Sequence, residues 1–435
     1  MNYSQATHFL FNSFPSYQNI GSQAYKEGIQ GITEMCRLLG DPQKNYLTIH
    51  VAGTNGKGSV SHMLASVLQQ AGYCVGLFTS PHLLDFRERI RVNGECISEK
   101  EVVRFTKEHK EEMVSLGLSF FEMTTAMAFH HFAQSDVEVA VIETGLGGRL
   151  DSTNIITPIL SVITNIGLEH TAMLGSTIAE IAFEKAGIIK PTVPVVVGEW
   201  EQESGEVFER MAEMCGSELV YADREWTVLE REPSAEGVRY TLQRPRDGRT
   251  QILDLDLAGG YQRKNILTVR TAVSLLRNRT HLNISTRALV EGLRSVTAST
   301  GLMGRWHKLH DAPLAVCDTG HNAHGLAEVV KQIGEQTYDK LFVVIGVVSD
   351  KDVDAIVPLM PVDAYYLFTQ SSVRRAMPAE ELAEVFLREG FKGEVVPTVA
   401  EAYQRALELA SADDMIFVGG STFVVSDLIK TDYLG

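Results

Sequence analysis

The fold of this chain is decided by one stretch of its sequence, Tyr46-Leu-Thr-Ile-His-Val-Ala-Gly53-Thr-Asn-Gly-Lys57-Gly-Ser59-Val60. Its first part is apolar and rich in β-branched residues, which predicts a buried strand over Tyr46–Ala52. The residues that follow place apolar side chains on one stripe, which predicts a helix over Val60–Gln70. A strand, a glycine-rich turn and a helix in this order surround an anion with backbone N–H groups. The stretch therefore predicts a phosphate-binding turn in an α/β fold.

The spacing of this turn differs from the common pattern Gly-x-x-x-x-Gly-Lys-[Ser/Thr]. Val51 stands where that pattern has its first glycine, and Gly58 separates Lys57 from Ser59. A flexible turn without a ligand is the alternative interpretation. A strand before the turn, a helix after it and a lysine between two glycines favour phosphate binding. We expect ATP to contact the residues of the turn, which are Gly53, Thr54, Asn55, Gly56, Lys57, Gly58 and Ser59.

Apolar β-rich runs alternate with helical segments over most of the chain, as in a parallel sheet covered by helices on both faces. Further strands are predicted at Cys74–Thr79, Val137–Glu143, Ile159–Asn165 and Val193–Val197. Helices are predicted at Phe121–Ala133, Thr177–Ala186 and Gln262–Arg277. Between Leu219 and Leu257 the polarity alternates, which predicts antiparallel strands with one wet face and a turn at Arg244–Gly248.

The alternation of strands and helices resumes in the last part of the chain. Strands are predicted at Leu314–Asp318, Leu341–Ile345, Ala364–Phe368 and Met415–Val418. Helices are predicted at Gly325–Glu335, Ala379–Glu389, Ala400–Ala410 and Thr422–Lys430. Small residues without a strong period indicate a hinge at Thr297–Gly304. The fold class is thus α/β, with a P-loop ATPase domain of mostly parallel sheet over residues 1–298 and a smaller Rossmann-like α/β domain over residues 299–435.

Charge and cysteine content limit the partners that we expect. Acidic side chains outnumber basic ones by 55 to 39, which gives a formal net charge of -16. A surface this acidic repels nucleic acid and anionic lipid, so we expect neither nucleic acid nor a membrane as a partner. The five cysteines are scattered and form no Cys-x-x-Cys pair, which speaks against a zinc ribbon and a disulfide framework. No signal peptide or membrane span is indicated, and we expect a cytoplasmic protein.

Several motifs of the chain occur together in one known family. They are Gly53-Thr-Asn-Gly-Lys-Gly-Ser59, Ser80-Pro-His-Leu83, Arg87-Glu-Arg-Ile90, Glu143-Thr-Gly-Leu-Gly-Gly-Arg-Leu-Asp151-Ser-Thr-Asn154, Leu168-Glu-His170, Glu184-Lys-Ala-Gly187 and Asp318-Thr-Gly-His-Asn322. With the variant spacing of the turn, they resemble the Mur-type amide ligases, and in particular the folylpolyglutamate and dihydrofolate synthases. The resemblance extends over nearly the whole chain, and residues 1–298 are accordingly expected to bind the folate as well as ATP.

The resemblance implies that two Mg²⁺ ions bind together with ATP. It makes Ser80 and Glu143 ligands of the first ion and His170 a ligand of the second. Without the resemblance, Glu143 is a solvated carboxylate at a strand end and His170 is a structural histidine. The family's counterpart of Lys185 is carbamylated by CO₂, which turns a cation into an anion that can ligate Mg²⁺. A salt bridge to a neighbouring glutamate is the alternative for this helical lysine.

Substrate contacts are also implied by the resemblance. The pteridine-bearing substrate is expected near Ser119, Phe120, Phe121, Glu122, Leu150, Asp151 and Ser152. Asp151 is expected to accept hydrogen bonds from the pteridine, whereas the two phenylalanines either stack on the ring or belong to the core. Asn265 is expected to contact adenine. Contacts to ATP from the second domain are expected from Arg305 and Asp318.

The reaction of the family joins the carboxylate of a folate to the α-amine of L-glutamate through an acyl phosphate made with ATP. The resemblance thus implies a ligase acting on dihydropteroate, reduced folates or both, a monomer whose domains close about the hinge. The expected catalytic residues are Lys57, Glu143, Asp151, His170 and Lys185, and the candidates for the glutamate site are His321 and Asn322. One alternative is a Mur-type ligase of peptidoglycan precursors, which the stretch from Leu146 to Asp151 disfavours. Another is a P-loop ATPase that switches a partner protein.

Overall fold

The computed structural model describes residues 1–14, 28–235 and 237–434. Its residue contacts divide the chain into two compact units. The first unit contains Met1–Leu257 and Gln262–Leu302, and the second contains Ala258–Tyr261 and Met303–Gly435. The division after Leu302 differs slightly from the one predicted after residue 298. The short segment Ala258–Tyr261 joins the second unit although it precedes the helix that was assigned to the first, and no sequence pattern indicates that exchange.

The first unit is built on an eight-stranded sheet with the order β4-β3-β2-β5-β1-β6-β7-β8. Its strands are Leu47–Ala52 (β1), Val75–Phe78 (β2), Ile90–Val92 (β3), Glu95–Cys96 (β4), Val139–Glu143 (β5), Leu160–Ile163 (β6), Val195–Val197 (β7) and Leu219–Tyr221 (β8). Strands β2, β5, β1, β6, β7 and β8 are parallel, and β3 and β4 form an antiparallel edge. Every residue of β5 is buried, as expected for a central strand with helices on both faces.

Helices cover this sheet. They are Tyr3–Ser13 (α1), Gln30–Leu38 (α2), Lys57–Gln70 (α3), Glu99–Ser115 (α4), Phe120–Gln134 (α5), Thr171–Leu174 (α6), Ile178–Ala186 (α7), Gln202–Cys215 (α8), Ala222–Glu225 (α9), Gln262–Arg279 (α10), Thr286–Arg294 (α11) and Val296–Thr300 (α12), with 3₁₀ turns at Pro42–Lys44, Phe86–Arg89 and Ser152–Ile155. Helix α3 begins at Lys57, so the last residues of the glycine-rich turn already belong to the helix. Helices α5 and α7 begin at reciprocal capping boxes, which explains their sharp N-terminal ends.

A separate antiparallel sheet of three strands follows in the first unit. Its strands are Thr227–Ser234 (β9), Gly237–Gln243 (β10) and Thr250–Leu255 (β11). The predicted turn at Arg244–Gly248 is confirmed, because Gly248 has a φ of 68° and its N–H donates to the carbonyl of Arg244. The predicted start of this antiparallel region at Leu219 is wrong. Leu219–Tyr221 instead pairs in parallel with β7 and extends the large sheet.

The second unit is a six-stranded sheet with the order β12-β13-β17-β14-β15-β16. Its strands are His307–His310 (β12), Leu314–Cys317 (β13), Leu341–Ile345 (β14), Tyr365–Gln370 (β15), Lys392–Thr398 (β16) and Met415–Gly419 (β17), and its helices are Ala323–Gly334 (α13), Ala379–Arg388 (α14), Val399–Leu409 (α15) and Thr422–Leu434 (α16), with a 3₁₀ turn at Val357–Leu359. All strand pairs except that of β12 with β13 are parallel. The predicted α/β fold with two parallel-rich sheets is therefore confirmed.

The predicted hinge at Thr297–Gly304 does not lack regular structure. Its first residues lie in helix α12, and the N–H and hydroxyl of Thr297 both donate to Asp256 at 2.7 and 2.6 Å. This part of the segment is thus fixed within the first unit. Small residues failed as a signal here because a short helix held by one half-buried carboxylate has no amphipathic period. In the described ranges, no helix combines the length and the hydropathy needed to cross a bilayer.

Candidate active site

The glycine-rich turn after β1 adopts a backbone that only glycine permits at two positions. Gly53 has a φ of 146°, and a Cβ there would lie 1.9 Å from the hydroxyl oxygen of Thr164. Gly56 has a φ of 83°, and a Cβ there would lie 2.4 Å from the side-chain oxygen of Asn265. Both glycines therefore bring the backbone close to polar groups of neighbouring elements. This packing places Asn265 against the turn, and its contact with adenine stays a prediction.

The end of β6 holds the turn in place. The N–H of Asn55 donates to the side-chain oxygen of Asn165 at 2.9 Å, and the hydroxyl of Thr164 donates to the carbonyl of Asn55 at 2.6 Å. Thr54 and Gly167 exchange two hydrogen bonds through the threonine hydroxyl. Strands β1 and β6 are parallel neighbours, so their carboxyl ends meet at one edge of the sheet. The turn is therefore preformed by bonds outside its own backbone.

Two lysines converge on the carbonyl oxygen of Gly53. The Lys57 amino group donates to it at 3.0 Å and to the carbonyl of Thr54 at 3.1 Å. The Lys185 amino group, on α7, donates to the same Gly53 oxygen at 2.9 Å. Helix α3 begins beside them at Gly56 without a side-chain cap, so its first N–H groups point toward the same place. The cation of Lys57 and an uncapped helix N-terminus form an anion-binding arrangement, with the buried amine of Lys185 beside them.

Lys185 is buried, with 4 % of its surface exposed. Burial and, to a smaller extent, the nearby charge of Lys57 lower the pKa of its amino group from 10.5 to about 7. The carboxylates of Glu169 and Asp151 act in the opposite direction. A substantial share of Lys185 is therefore a neutral amine near neutral pH. A neutral amine is the form that reacts with CO₂.

Replacing Lys185 with Met should stabilise the protein in CO₂-free buffer, most strongly at low pH. The unfolded chain holds the Lys185 proton up to pH 10.5, whereas the folded protein releases it above about pH 7. Below about pH 7 the buried charge therefore lowers the free energy of unfolding by its full amount, on the order of 4–5 kcal/mol. This loss decreases as the pH rises and is gone near pH 10.5, the ordinary pKa of the lysine. Urea unfolding of both proteins from about pH 6.5 to 9.5 measures the difference. A difference that does not change with pH would contradict the lowered pKa.

Glu143 ends β5, directly beside β1, and is 3 % exposed. Its carboxylate accepts the N–H of Ser80 at 3.1 Å, at a cis peptide bond between Ser80 and Pro81. The buried guanidinium of Arg89 lies near this carboxylate and donates to the ring of His82 at 2.7 Å. Burial lowers the pKa of Arg89 to about 10, and the charge of Glu143 opposes that shift. The structure thus brings Ser80 and Glu143 together, as predicted.

His170 has a φ of 52° and precedes the short helix α6. Its ring nitrogen Nε2 lies 3.7 Å from a carboxylate oxygen of Glu169. Within residues 1–14, 28–235 and 237–434, no three side chains of His, Cys, Asp or Glu come close enough together to hold a metal ion. The predicted metal set differs from such a cluster because it includes a serine and a modified lysine. Its role stays a prediction.

Asp151 lies 5 % exposed at the end of the glycine-rich segment that follows β5. One of its oxygens accepts the N–H groups of Gly145 and Leu146 at 2.9 and 2.8 Å. The other accepts the N–H of Thr153 at 3.0 Å and the Thr153 hydroxyl. A carboxylate offers about four acceptor sites, and protein donors occupy all of them here. In this conformation Asp151 holds its own loop, and a pteridine N–H would have to displace one of these donors.

The adjacent phenylalanines Phe120 and Phe121 have different surroundings. Phe120 is 3 % exposed, stacks on Phe11 at 4.8 Å and meets Phe86 edge-on at 5.9 Å. Phe120 thus lies in the core, which is one of the two alternatives for this residue, and a contact with the pteridine stays a prediction. The ring of Phe121 is half-buried and lies against the backbone of Gly145, where a Cβ would come within 2.5 Å of its tip. Phe121 is thus the aromatic side chain at the loop held by Asp151.

This difference predicts different effects on stability. Phe120→Ala should lower the free energy of unfolding by about 3–5 kcal/mol, because it leaves a cavity among aromatic rings. Phe121→Ala should lower it by less, since part of that ring is already in contact with solvent. Urea unfolding of the two variants, at equal protein concentration, makes the comparison. Equal losses in both variants would contradict the assignment of Phe120 alone to the core.

Of the other residues predicted near the pteridine, Ser119 and Glu122 make structural hydrogen bonds. Ser119 and Glu122 form the capping box of α5, and Glu122 also accepts the N–H of Ile32 at 3.2 Å. Leu150 is half-buried and Ser152 is buried, on either side of Asp151. The structure therefore gathers Phe121, Leu150 and Ser152 with the Asp151 loop, whereas the side-chain bonds of Ser119 and Glu122 are used within the helix and its neighbour.

The helix α10 contacts the glycine-rich turn through two polar side chains. Asn265 donates to the side-chain oxygen of Gln262 at 2.7 Å, and Gln262 donates to the hydroxyl of Ser59 at 3.2 Å. Gln262 was not predicted as a site residue, although it begins the predicted helix that carries Asn265. Its burial and its bond to Ser59 give it a part in fixing the end of the turn.

Asp318 is the most connected predicted residue of the second unit. It is 2 % exposed and accepts the hydroxyl of Tyr261 at 2.6 Å and the N–H groups of Trp306 and Gly320 at 2.7 and 2.8 Å. Burial raises the pKa of its carboxyl, and these bonds oppose the shift. Arg305 donates to the hydroxyl of Thr319, the residue next to Asp318. Tyr261 was missed because its partner lies far away in the sequence.

The two candidates for the glutamate site follow Asp318. Asn322 is the N-cap of α13, and its side-chain oxygen accepts the N–H of Gly325 at 2.7 Å. A ring nitrogen of His321 lies 3.0 Å from the carbonyl oxygen of Thr319. The cap explains why an asparagine stands at the start of this helix. The role of either residue toward glutamate stays a prediction.

Comparison with known proteins supports the family resemblance. Residues 51–273 match the Mur ligase middle domain, and residues 304–422 match the glutamate ligase domain of Mur ligases. The folylpolyglutamate synthase of Lacticaseibacillus casei is 32% identical over 444 residues, which cover 99% of this chain and 99% of that protein. The chain belongs to the folylpolyglutamate and dihydrofolate synthase family. The resemblance predicted from the motifs is thereby confirmed, and with it an ATP-dependent ligase fold of two Mur-type domains.

Other members of this synthase family show the same relation. A solved structure of Escherichia coli FolC, in complex with DHPP and ADP, has a TM-score of 0.86 and 27% identity and covers 100% of this chain and 98% of that chain. A probable bifunctional folylpolyglutamate synthase/dihydropteroate synthase of Haloferax volcanii is 34% identical over 99% of this chain. The chain spans about half the length of that relative, 50%. The match to this archaeal protein therefore concerns one part of it.

Proposed function

We propose that this chain is an ATP-dependent ligase that adds L-glutamate to dihydropteroate, to reduced folates or to both, through an acyl-phosphate intermediate. One observation carries the proposal: Lys57 and Lys185 both donate to Gly53 in a turn that lies beside the buried carboxylate of Glu143. The cation of Lys57, the buried amine of Lys185 and the carboxylate of Glu143 suit a nucleoside triphosphate and its metal. Similarity to folylpolyglutamate synthases over the whole chain supports the acceptor class.

The reaction that we propose has two steps. The substrate carboxylate attacks the γ-phosphorus of ATP, which forms an acyl phosphate and releases ADP. The α-amine of glutamate then attacks the acyl carbon, the amide bond forms, and inorganic phosphate leaves with the bonding electrons while the amine loses a proton. No covalent nucleophile of the protein is needed. Positioning and neutralisation of charge supply the acceleration.

Lys57 and the N-terminus of α3 would bind the phosphates. In the present structure the Lys57 amino group donates to carbonyl oxygens of its own turn at 3.0 and 3.1 Å. These two bonds keep the charge at the turn, and phosphate oxygens are stronger acceptors that would replace them. The helix lacks a side-chain cap at Gly56, so its first N–H groups are available to the same oxygens. Asn265 lies against Gly56, which supports the proposal that it contacts the nucleotide.

The donor set beside the turn fits magnesium. Mg²⁺ prefers carboxylate, hydroxyl and water oxygens, and Glu143 and Ser80 offer a carboxylate and a hydroxyl that the Ser80 N–H bond holds together. We propose these two residues as ligands of one ion, and His170 with a carbamylated Lys185 as ligands of a second. When bound, the ions neutralise negative charge on the phosphoryl group during transfer.

Carbamylation of Lys185 would resolve an electrostatic conflict in the site. Two lysines at one carbonyl oxygen repel each other, and this repulsion contributes to the lowered pKa of Lys185. The neutral amine can attack CO₂, forming a carbamate and releasing one proton. The product is an anion beside the cation of Lys57, which replaces repulsion by attraction and creates an oxygen ligand for a metal. We propose this modification as part of the active enzyme.

The pteridine would lie along Phe121, Leu150 and Ser152. Phe121 presents a half-buried ring next to Gly145, and flat heterocycles stack on such rings. Asp151 would act mainly through the loop that it holds, with a direct bond to the pteridine only if one internal donor is exchanged. Phe121→Ala should accordingly raise KM for the pteridine substrate.

Residues of the second unit complete the proposal. We propose Arg305 and Asp318 as residues that act on ATP, and His321 and Asn322 as residues of the glutamate site. Asp318, His321 and Asn322 lie in one motif of the family, and Arg305 is assigned by the wider family resemblance. Asp318 is held by Tyr261 and by two backbone N–H groups, and such support suits a residue that must keep one orientation.

Release of inorganic phosphate from ATP tests the proposed function. We expect release only when L-glutamate and a pteroate or folate are both present, with one phosphate released for each amide bond formed. Release without either substrate would favour a P-loop ATPase that switches a partner. Release that requires a uridine-nucleotide peptide precursor would favour a ligase of peptidoglycan precursors. Rates with dihydropteroate and with tetrahydrofolate, measured under the same conditions, decide between one acceptor and two.

A further inference from the structure

His50 is a buried histidine that the proposed reaction does not use. It lies on β1, three residues before the glycine-rich turn, and its side chain is fully shielded from solvent. Its ring nitrogen Nε2 lies 2.8 Å from the hydroxyl oxygen of Thr153, a residue more than a hundred positions later in the sequence. Burial lowers the pKa of His50 to about 3, so the ring is neutral at physiological pH.

The donor and the acceptor in each hydrogen bond of the Thr153 hydroxyl follow from the groups around it. The carboxylate of Asp151 receives four protein donors and offers no proton, so the Thr153 hydroxyl must donate to it. The same hydroxyl can then only accept from His50, which requires a proton on Nε2 of the ring. The other ring nitrogen, Nδ1, has no hydrogen-bond partner among the described residues. One chain of bonds thus runs from His50 through Thr153 to Asp151.

This chain ends on the backbone of the loop that follows Glu143. Asp151 accepts hydrogen bonds from the N–H groups of Gly145 and Leu146 and thereby fixes their positions. Gly145 in turn lies against the ring of Phe121. A strand that leads into the ATP turn is therefore tied to the loop on the pteridine side.

We propose that His50 and Thr153 are positioning residues that set the loop from Gly145 to Ser152 for the pteridine-bearing substrate. They touch neither the substrate nor ATP, and they act through Asp151. The inference rests on the proposed function for its effect on substrate, but the bonds themselves are independent of it. Loss of either bond should loosen the loop while β1 and the ATP turn remain in place.

Four variants in two matched pairs test the proposal by kinetics. Thr153→Val and His50→Leu remove the hydrogen-bonding groups at nearly constant volume, whereas Thr153→Ser and His50→Gln retain a hydroxyl and an N–H donor. We expect the first pair to raise KM for dihydropteroate or tetrahydrofolate about tenfold or more, which corresponds to one buried hydrogen bond. KM for ATP should change less than about twofold in these variants. In Thr153→Ser and His50→Gln, both KM values should stay close to those of the original protein. Equal changes in both KM values, or none, would overturn the proposal.

Amide hydrogen exchange gives a second measurement that needs no activity. In Thr153→Val the amides of Gly145 and Leu146 should exchange at least about tenfold faster, because their acceptor is no longer held. The amide of Thr144, which donates to the carbonyl of Val51 at 2.9 Å, is the internal control and should not change. Unchanged exchange at Gly145 and Leu146 would overturn the positioning role of Thr153, whether or not the unmodified protein acts on folates. Absence of that activity with altered exchange would instead contradict the proposed function alone.

Discussion

Replacing Glu143 with Gln is expected to lower turnover by more than about a thousandfold without unfolding the protein. The substitution keeps an acceptor for the N–H of Ser80 and removes only the negative charge at the strand end. A charge that binds a metal beside the transferred phosphoryl group is worth several kcal/mol, and each 1.36 kcal/mol changes the rate about tenfold. Initial rates over a range of Mg²⁺ concentrations, together with Tm, measure the two parts of the prediction.

Glu138→Gln is the matched control for this variant. Glu138 lies just before the opposite end of the same strand, and its carboxylate also accepts a backbone N–H, that of Cys74, at 2.8 Å. The two substitutions therefore remove one carboxylate charge from each end of β5. Glu138→Gln should retain activity within about twofold, because the end of a parallel sheet at which its strands begin does not carry the site. Similar losses in both variants would mean that Glu143 acts through stability and not through a metal.

The sequence was informative where function depends on the ends of parallel strands. A buried strand followed by a glycine run places Glu143 at the carboxyl edge of the sheet, and the same rule places Thr164 and Asn165 beside the turn. Topology brings such ends together regardless of side-chain details. The anion-binding geometry of Gly53 and Gly56 was predictable for the same local reason, since both positions need a positive φ.

The sequence was less informative where a role depends on a distant partner. Phe120 and Phe121 are neighbours on one helix, and only the rings of Phe11 and Phe86 place the first of them in the core. Asp151 bonds to its own loop, which is close in sequence. The sequence does not show, however, that donors such as the N–H of Gly145 fill the acceptor sites of its carboxylate. A motif names such residues but does not state which of their atoms remain free.

Some secondary structure was missed for related reasons. The helix Glu99–Ser115 is highly charged and buries only a few side chains, so its apolar period is weak. The strands His307–His310 and Lys392–Thr398 lie at the two edges of their sheet and contain no buried residue. Edge strands carry fewer apolar residues than central ones, which removes the signal on which their prediction depends.

Lys185→Ala should also lower turnover by more than about a thousandfold, and small carboxylates should restore part of it. The substitution removes the amine that we propose as the site of carbamylation, and with it one anionic ligand beside Lys57. Formate or acetate at millimolar concentration can enter the space that is left and supply a carboxylate there. Steady-state rates with and without these anions measure the rescue.

The matched control is Lys190→Ala. Lys190 follows α7, its pKa is also lowered by burial, and its amino group donates to the carbonyl of Asn154 at 3.1 Å. Its loss removes a partly buried lysine close in sequence but leaves both lysines at Gly53 unchanged. We expect a loss of less than about tenfold and no response to added carboxylates, because no anion site is vacated.

Dependence on CO₂ separates carbamylation from a simple requirement for the lysine charge. A carbamate forms from the neutral amine, so removing CO₂ and bicarbonate should lower the activity of the unmodified protein reversibly, and Lys185→Ala should not respond. If the lysine acted as a cation instead, Lys185→Arg would retain activity and CO₂ would have no effect. Full activity in Lys185→Ala would refute both a carbamate and a catalytic cation at this position. Two results together would show that an anion is required at this position: CO₂ restores the activity of the unmodified protein, and small carboxylates restore activity only in Lys185→Ala. The lowered pKa of Lys185 makes formation of the carbamate chemically accessible.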